Sequence, residues 1–224
     1  MVSGHRLEYL SGLMDLILLI GILLLSVILH EVAHAWVARR EGDDTAERLG
    51  RITLNPIPHL DPIGSILIPV VLASLPGGFI FGWAKPVPVN PANFRDPVWG
   101  DIRVSLAGIA VNLLLALVFA LAMIPLVRFA PAGGAWGYVE SALYYGVLIN
   151  VILAVFNLIP VPPLDGSHVV RHLLPQALRG AYDAFGRFGA IALLAFLFFV
   201  PGGFGLVMGP VTFIVDSLFA VLGL

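Results

Sequence analysis

LMDLILLIGILLLSVILHEVAHAWV, residues 13–37, is the stretch on which the reading of this chain turns. From Leu13 to Leu29 it is almost wholly apolar, and a helix needs roughly 20 such residues to cross a bilayer. The run closes on His30, Glu31 and His34, three titratable side chains at a depth where lipid or headgroups belong. Ionisable groups inside a span are costly and read as functional by default. The opening residues His5 and Arg6, the apolar core and the Ala33–His34–Ala35 triplet imitate a cleaved secretion signal. Asp15 near the start of the core, and a membranous chain after it, favour a retained span.

Working outward, the composition agrees. The chain has 224 residues, of which 59% are hydrophobic and only 12% charged, with a mean hydropathy of +0.97. Soluble domains carry about 25% charged residues, so this is a polytopic membrane protein with the lipid bilayer as solvent. A net charge of -2 removes the basic footprint of a nucleic-acid binder. With no cysteine, disulfides and thiolate metal sites are excluded, and any metal must be held by His, Asp or Glu. No internal repeat or long linker is visible, so residues 1–224 read as a single domain, with the core of the site in about 13–172 and a C-terminal helical region in 188–224.

Further apolar runs cover residues 63–81, 102–127, 141–159 and 188–224. The second is broken by Pro69, Pro76, Gly77 and Gly78. The last is interrupted by PGGFG and GP and reads as one span followed by a short C-terminal helix. The expected fold is all-α with about four or five transmembrane helices. Basic residues cluster after the first span (Arg39, Arg40, Arg48, Arg51), after the second run (Lys85, Arg95, Arg103) and after the fourth (Arg171, Arg179, Arg187). Positive-inside placement puts these three stretches in the cytoplasm. Both ends of 63–81 then lie on one side, so that run is expected to enter and return as a re-entrant or broken hairpin. The same logic ends the first and fourth spans on the cytoplasmic side, which brings His30, His34 and Asp165 to one membrane depth. Trp83, Trp99 and Trp136 flank apolar runs as interfacial anchors.

The spacing carries the chemistry. Residues i and i+4 share a helix face, so His30 and His34 can share one ion. Two neutral imidazoles and the Asp165 carboxylate are suitable zinc ligands, and three protein ligands with an open fourth position make a catalytic arrangement. Glu31, next to a ligand, is placed to act as general base: His-Glu-x-x-His on a helix is the metalloprotease pattern. Two rival ligand sets are weaker. His59 and Asp61 sit in a proline-rich loop, where Asp habitually caps turns. His168 and His172 also have i, i+4 spacing and lie near Asp165, but no glutamate accompanies them. Asn157, eight residues before Asp165, shares its helix face. It reads either as a group that binds substrate or orients Asp165, or as an interhelical hydrogen bond. Asn112 in the third span carries the same two readings.

HEVAH (30–34) and NLIPVPPLDG (157–166), supported by LNPIPHLDPIG (54–64), GWAKPVPVN (82–90) and SLAGIAVN (105–112), resemble the site-2 protease family of intramembrane zinc metalloproteases. The similarity is greatest to small members without PDZ or CBS domains. The resemblance implies Zn2+ held by His30, His34 and Asp165, Glu31 as catalytic base, and cleavage of transmembrane proteins or peptides. It also implies that Lys85, Pro86 and Val87 lie along the substrate as a short membrane-associated β element, an edge to which an unwound substrate adds. Pro86 and Pro88 remove donors from that edge. The family often has proline where Ile109 stands in AGIAVN, and many members have a further span before HExxH, whereas 29 residues precede His30 here. The implied location is the cell inner (cytoplasmic) membrane, with the zinc site toward the cytoplasm. Two other classes remain. A metal-binding scaffold without proteolysis would have no use for Glu31. A metal transporter would place its ligands near the midplane between repeats.

Overall fold

The computed structural model describes residues 2–67, 71, 84–131 and 134–224. The architecture is all-α, and among the described residues no strand forms. Helix α1 spans Val2–Glu41, and a short helix α2 follows at Thr45–Arg48. The long helices α3 (Pro97–Phe129) and α4 (Ala135–Leu158) come next. Four shorter elements complete the chain: α5 (Asp165–Leu173), α6 (Gln176–Gly186), α7 (Gly189–Phe199) and α8 (Gly203–Leu222). Among the described residues, four helices are long and apolar enough to cross a membrane: α1 from Gly12, α3, α4 and α8. A fifth span arises if α6 and α7, bent by 70°, are counted together. The protein is multi-pass.

The C-terminal region differs in order from the expectation. The 11-residue α7 comes first and the 20-residue α8, the full span, comes last. The PGGFG break lies closer to the start of the apolar region than to its end. Pro210 inside α8 does not stop it, because membrane helices tolerate proline when neighbouring groups satisfy the freed carbonyls. Beside the proline, the Thr212 hydroxyl donates to the Gly209 carbonyl at 2.9 Å. The hairpin expected over 63–81 falls mostly outside the described residues. Pro62–Leu67 forms a π-helical segment at its start, while 68–70 and 72–83, including Trp83, are not described. Residues 84–90 carry no ladder.

The chain divides into two compact units, Met1–Ser26 with Ile109–Leu224, and Val27–Gly108. In the first, Ala116, Ala120, Met123, Val147, Val151, Val211 and Val215 form the core. Small residues let backbones approach closely where lipid offers no hydrophobic drive. Gly146 shows this: a Cβ there would sit 2.3 Å from the Phe119 ring. One fully buried polar chain crosses this core. Asn112 Nδ2 donates to Asn150 Oδ1, and Asn150 Nδ2 donates to Ser26 Oγ, each at 2.8 Å. It ties α1, α3 and α4 together.

The second unit is built round the end of α1. Ala38, Phe94 and Val104 are its buried apolar contacts. The helix stops at Gly42, whose φ of 118° is open to glycine; a Cβ there would also lie 2.8 Å from the Asn93 carbonyl oxygen. The next residue, Asp43, is fully buried. Its carboxylate accepts from the Asn90 N–H (2.7 Å), the Asn93 amide (2.8 Å) and both the N–H and hydroxyl of Thr45. Asp43 thereby anchors the far end of segment 84–94 to the end of α1.

Candidate metal centre

His30 and His34 stand one turn apart on α1, 7% and 9% exposed. Their Nε2 atoms are 2.9 Å apart and the rings meet edge to face. His34 Nδ1 lies 2.7 Å from the Val104 carbonyl oxygen on α3. A carbonyl can only accept, so Nδ1 carries the proton and Nε2 presents its lone pair. A metal-ligating histidine typically donates its other ring N–H in this way, which fixes tautomer and ring orientation.

One turn beyond Val104 on the same face of α3 is Gly108. A Cβ there would lie 2.5 Å from His30 Cε1 and 2.6 Å from His34 Nε2. The two rings therefore occupy space that only glycine leaves open. The donor set fits zinc: imidazole nitrogens converge, and 2.9 Å is near the roughly 3.3 Å between two nitrogens bound tetrahedrally at about 2.0–2.1 Å.

Glu31 is partly buried beside this pair. Its Oε2 accepts the backbone N–H of Val87 at 2.8 Å. That contact is one of several holding segment 84–90 in place. The Lys85 N–H donates to the His59 carbonyl at 2.9 Å, and the Lys85 carbonyl accepts from the buried Arg51 guanidinium at 2.7 Å. Residues 85 and 87 thus turn their backbone inward, residue 87 to Glu31 and residue 85 to the loop.

The remaining expected site residues are placed as follows. Asp165 opens α5 and is partly buried, in the unit that does not contain the histidines. Asn112 is fully buried and engaged by Asn150, the interhelical arrangement. Asn157 Nδ2 donates to the Leu153 carbonyl of its own helix at 3.0 Å. His59 is a buried loop staple, its Nε2 donating to the Thr53 carbonyl at 2.9 Å. Asp61 caps Pro62–Leu67 by accepting the N–H groups of Ile63 and Gly64. Among the described residues, Asp165, His168 and His172 are not gathered into a three-ligand cluster. Sequence reasoning missed Val104, Gly108, Asp43 and Asn150. A signal existed for Asn150, a polar residue seven positions before Asn157 and so on nearly the same face of an apolar helix.

The family model described as peptidase family M50 matches residues 127–200, the stretch containing NLIPVPPLDG. Across more of the chain, the protein named "Putative zinc metalloprotease YwhC" from Bacillus subtilis is 39% identical over 183 residues, 81% of this chain and 80% of that protein. The chain belongs to peptidase family M50. This is the site-2 protease family, and the chain is a membrane zinc metalloprotease with Zn2+ as its cofactor. Two other relatives, both named "Putative zinc metalloprotease Rip2", come from mycobacteria. The Mycolicibacterium smegmatis protein is 32% identical over 82% of this chain and 68% of its own length. The Mycobacterium tuberculosis protein is 30% identical over 96% of this chain and 79% of its own length. No solved structure matches the chain.

Proposed function

We propose that this M50 peptidase, one domain over residues 1–224, hydrolyses peptide bonds in or near transmembrane segments of membrane proteins. His30, His34 and Asp165 would hold the zinc, and Glu31 would serve as general base. The observation that carries the reading is the position of Glu31: beside two convergent imidazoles on an apolar helix, with its carboxylate fixed against Val87. When bound, zinc supplies Lewis acidity, polarising the scissile carbonyl and making water acidic enough to deprotonate near neutral pH. The Val104 carbonyl keeps His34 in the tautomer whose Nε2 presents its lone pair to a metal.

With Oε2 of Glu31 held by the Val87 N–H, Oε1 is left to take the proton of the attacking water. As the water oxygen bonds to the carbonyl carbon, that proton moves to Glu31. When the carbon–nitrogen bond breaks, its electron pair stays on the amine nitrogen, and Glu31 delivers the proton there.

Segment 84–90 supports a substrate role for Lys85, Pro86 and Val87. In an extended chain, successive residues turn their backbone N–H and C=O groups to opposite edges. Lys85 and Val87 face inward, so Pro86 and Pro88 hold the outer edge. Prolines have carbonyls but no N–H, and an extended substrate there would be bound through its own N–H groups. Asn157 is the better-supported polar contact of the two asparagines, since Asn112 is already engaged in the core. The arginines that follow α1 and those of 171–187 favour a cytoplasmic-membrane protein with its zinc site toward the cytoplasm.

The test is wild type beside Glu31→Gln, both purified, with zinc per chain and cleavage of single-span test peptides measured together. The expected result is equal zinc and a loss of cleavage of at least about 10²-fold, the lower end of what a general base contributes. Undiminished cleavage by a zinc-loaded Gln variant would remove Glu31 from the mechanism.

A further inference from the structure

We propose that the corner between α6 and α7 is a binding site for the phosphate headgroup of an anionic phospholipid. An open cleft of about 430 Å³ is lined there by Pro162, His168, Arg171, Tyr182, Asp183 and Arg187, among others. The corner is built into the fold. A Cβ on Gly186 would lie 3.1 Å from Pro162 Cβ, and one on Gly189 would lie 2.0 Å from the Pro162 carbonyl oxygen. These two glycines let the bend seat directly on Pro162. Tyr182 fastens the same wall by donating its hydroxyl to the Pro160 carbonyl at 2.9 Å.

The sequence of the corner suits a membrane interface. α6 is amphipathic, with Leu178 and Phe185 exposed beside Arg179 and Asp183, the pattern of a helix lying in the interface. α7 (GAIALLAFLFF) is wholly apolar and leaves α6 at 70°. Arg187 stands at the break between them.

Charge selects the ligand. Arg171 and Asp183 form a two-pronged pair, Nε to Oδ1 at 2.7 Å and Nη2 to Oδ2 at 2.9 Å. Arg171 and Arg187 line the cleft against Asp183 alone, and Arg179 also acts on Asp183, so the corner is net positive; among the described residues no carboxylate pairs with Arg187. A guanidinium is suited to phosphate oxygens. An anionic headgroup complements this corner, whereas a choline headgroup would bring a further cation to Arg187. Phe188 and Ile191, 65% and 68% exposed, continue from the corner as apolar surface for the acyl chains. Basic pockets at the membrane surface bind anionic headgroups in this way.

The probe is native mass spectrometry of the full-length zinc-loaded protein from micelles holding equal phosphatidylglycerol and phosphatidylcholine. Wild type is expected to retain phosphatidylglycerol in preference. Arg187→Gln is expected to bind it about fivefold more weakly, the effect of one basic residue near an anionic surface, and Arg187→Lys to keep most of the preference. Zinc per chain reports whether each variant is folded. A second measurement needs no variant: a phosphatidylglycerol analogue with a photoreactive headgroup should label wild type within residues 162–191. Retention in 10 mM inorganic phosphate identifies the lipid as the ligand; displacement identifies the free anion. Equal retention of both lipids by wild type, or labelling spread away from the corner, overturns the proposal.

Discussion

Glu31, His30 and His34 lie within five consecutive residues, but what aims them comes from elsewhere in the chain. His34 is aimed by Val104, 70 residues away, and Glu31 by Val87, 56 residues away. Gly108 supplies the space. Gly108→Ala would force the two rings apart, since its Cβ would come within 2.5–2.7 Å of three of their atoms. Zinc affinity is expected to fall at least about tenfold, the scale on which groups around metal ligands act, with helical content by circular dichroism unchanged. Asp43 is the other hidden position. Burial would raise its pKa, but the donors Asn90, Thr45 and Asn93 outweigh this and hold the carboxyl below its ordinary value. A depressed folded value stabilises the protein above the unfolded pKa, and the contribution is lost as pH falls through the folded one. Asp43→Asn should cost about 2–3 kcal/mol near neutral pH, as hydrogen bonds to a charged group do. The gap in thermal midpoint between wild type and variant should be full above about pH 5 and narrow below about pH 4. A gap that widens on acidification would contradict the assignment.

Among the elements, α1, α3 and α4 were legible as apolar runs whose C-terminal ends fall within four residues of the helix ends, whereas each helix begins well before its run, at Val2, Pro97 and Ala135. Their mutual tie was not. Asn150 offered a polar break in an apolar helix, but only packing shows it holding both Asn112 and Ser26. Asn150→Leu removes two interhelical bonds. Membrane hydrogen bonds average about 0.6 kcal/mol, so an overall loss of roughly 1–2 kcal/mol is expected in detergent unfolding. Asn157→Leu removes a bond within its own helix and should cost less. If the two variants are equally destabilised, the Asn150 network is not the tie described. The C-terminal elements were the least legible. A run of apolar residues broken by PGGFG does not say which piece is long enough to cross, and the observed order is α7 before α8.

For the molecule as a whole, membrane class and zinc chemistry follow from composition and one motif, and membership of family M50 agrees with both. Four helices or more satisfy their own backbone groups in lipid, so the fold is expected to stand without the metal. Removing zinc with a strong chelator should abolish proteolysis while leaving helical content nearly intact, and added zinc should restore cleavage. Loss of helix on chelation would mean that zinc holds the fold as well as the reaction. Local regularities were sufficient for much of this: a 3.6-residue period puts His30 and His34 on one face, and hydropathy alone marks a span. They reach only a few residues along the chain. The carbonyl that sets the His34 tautomer, the N–H that fixes Glu31, the glycine that makes room for both rings, and the corner that gathers Arg171 and Arg187 depend on segments distant in sequence. Those were decided by tertiary packing, because close approach of backbones is a property of paired surfaces and is written in neither segment alone.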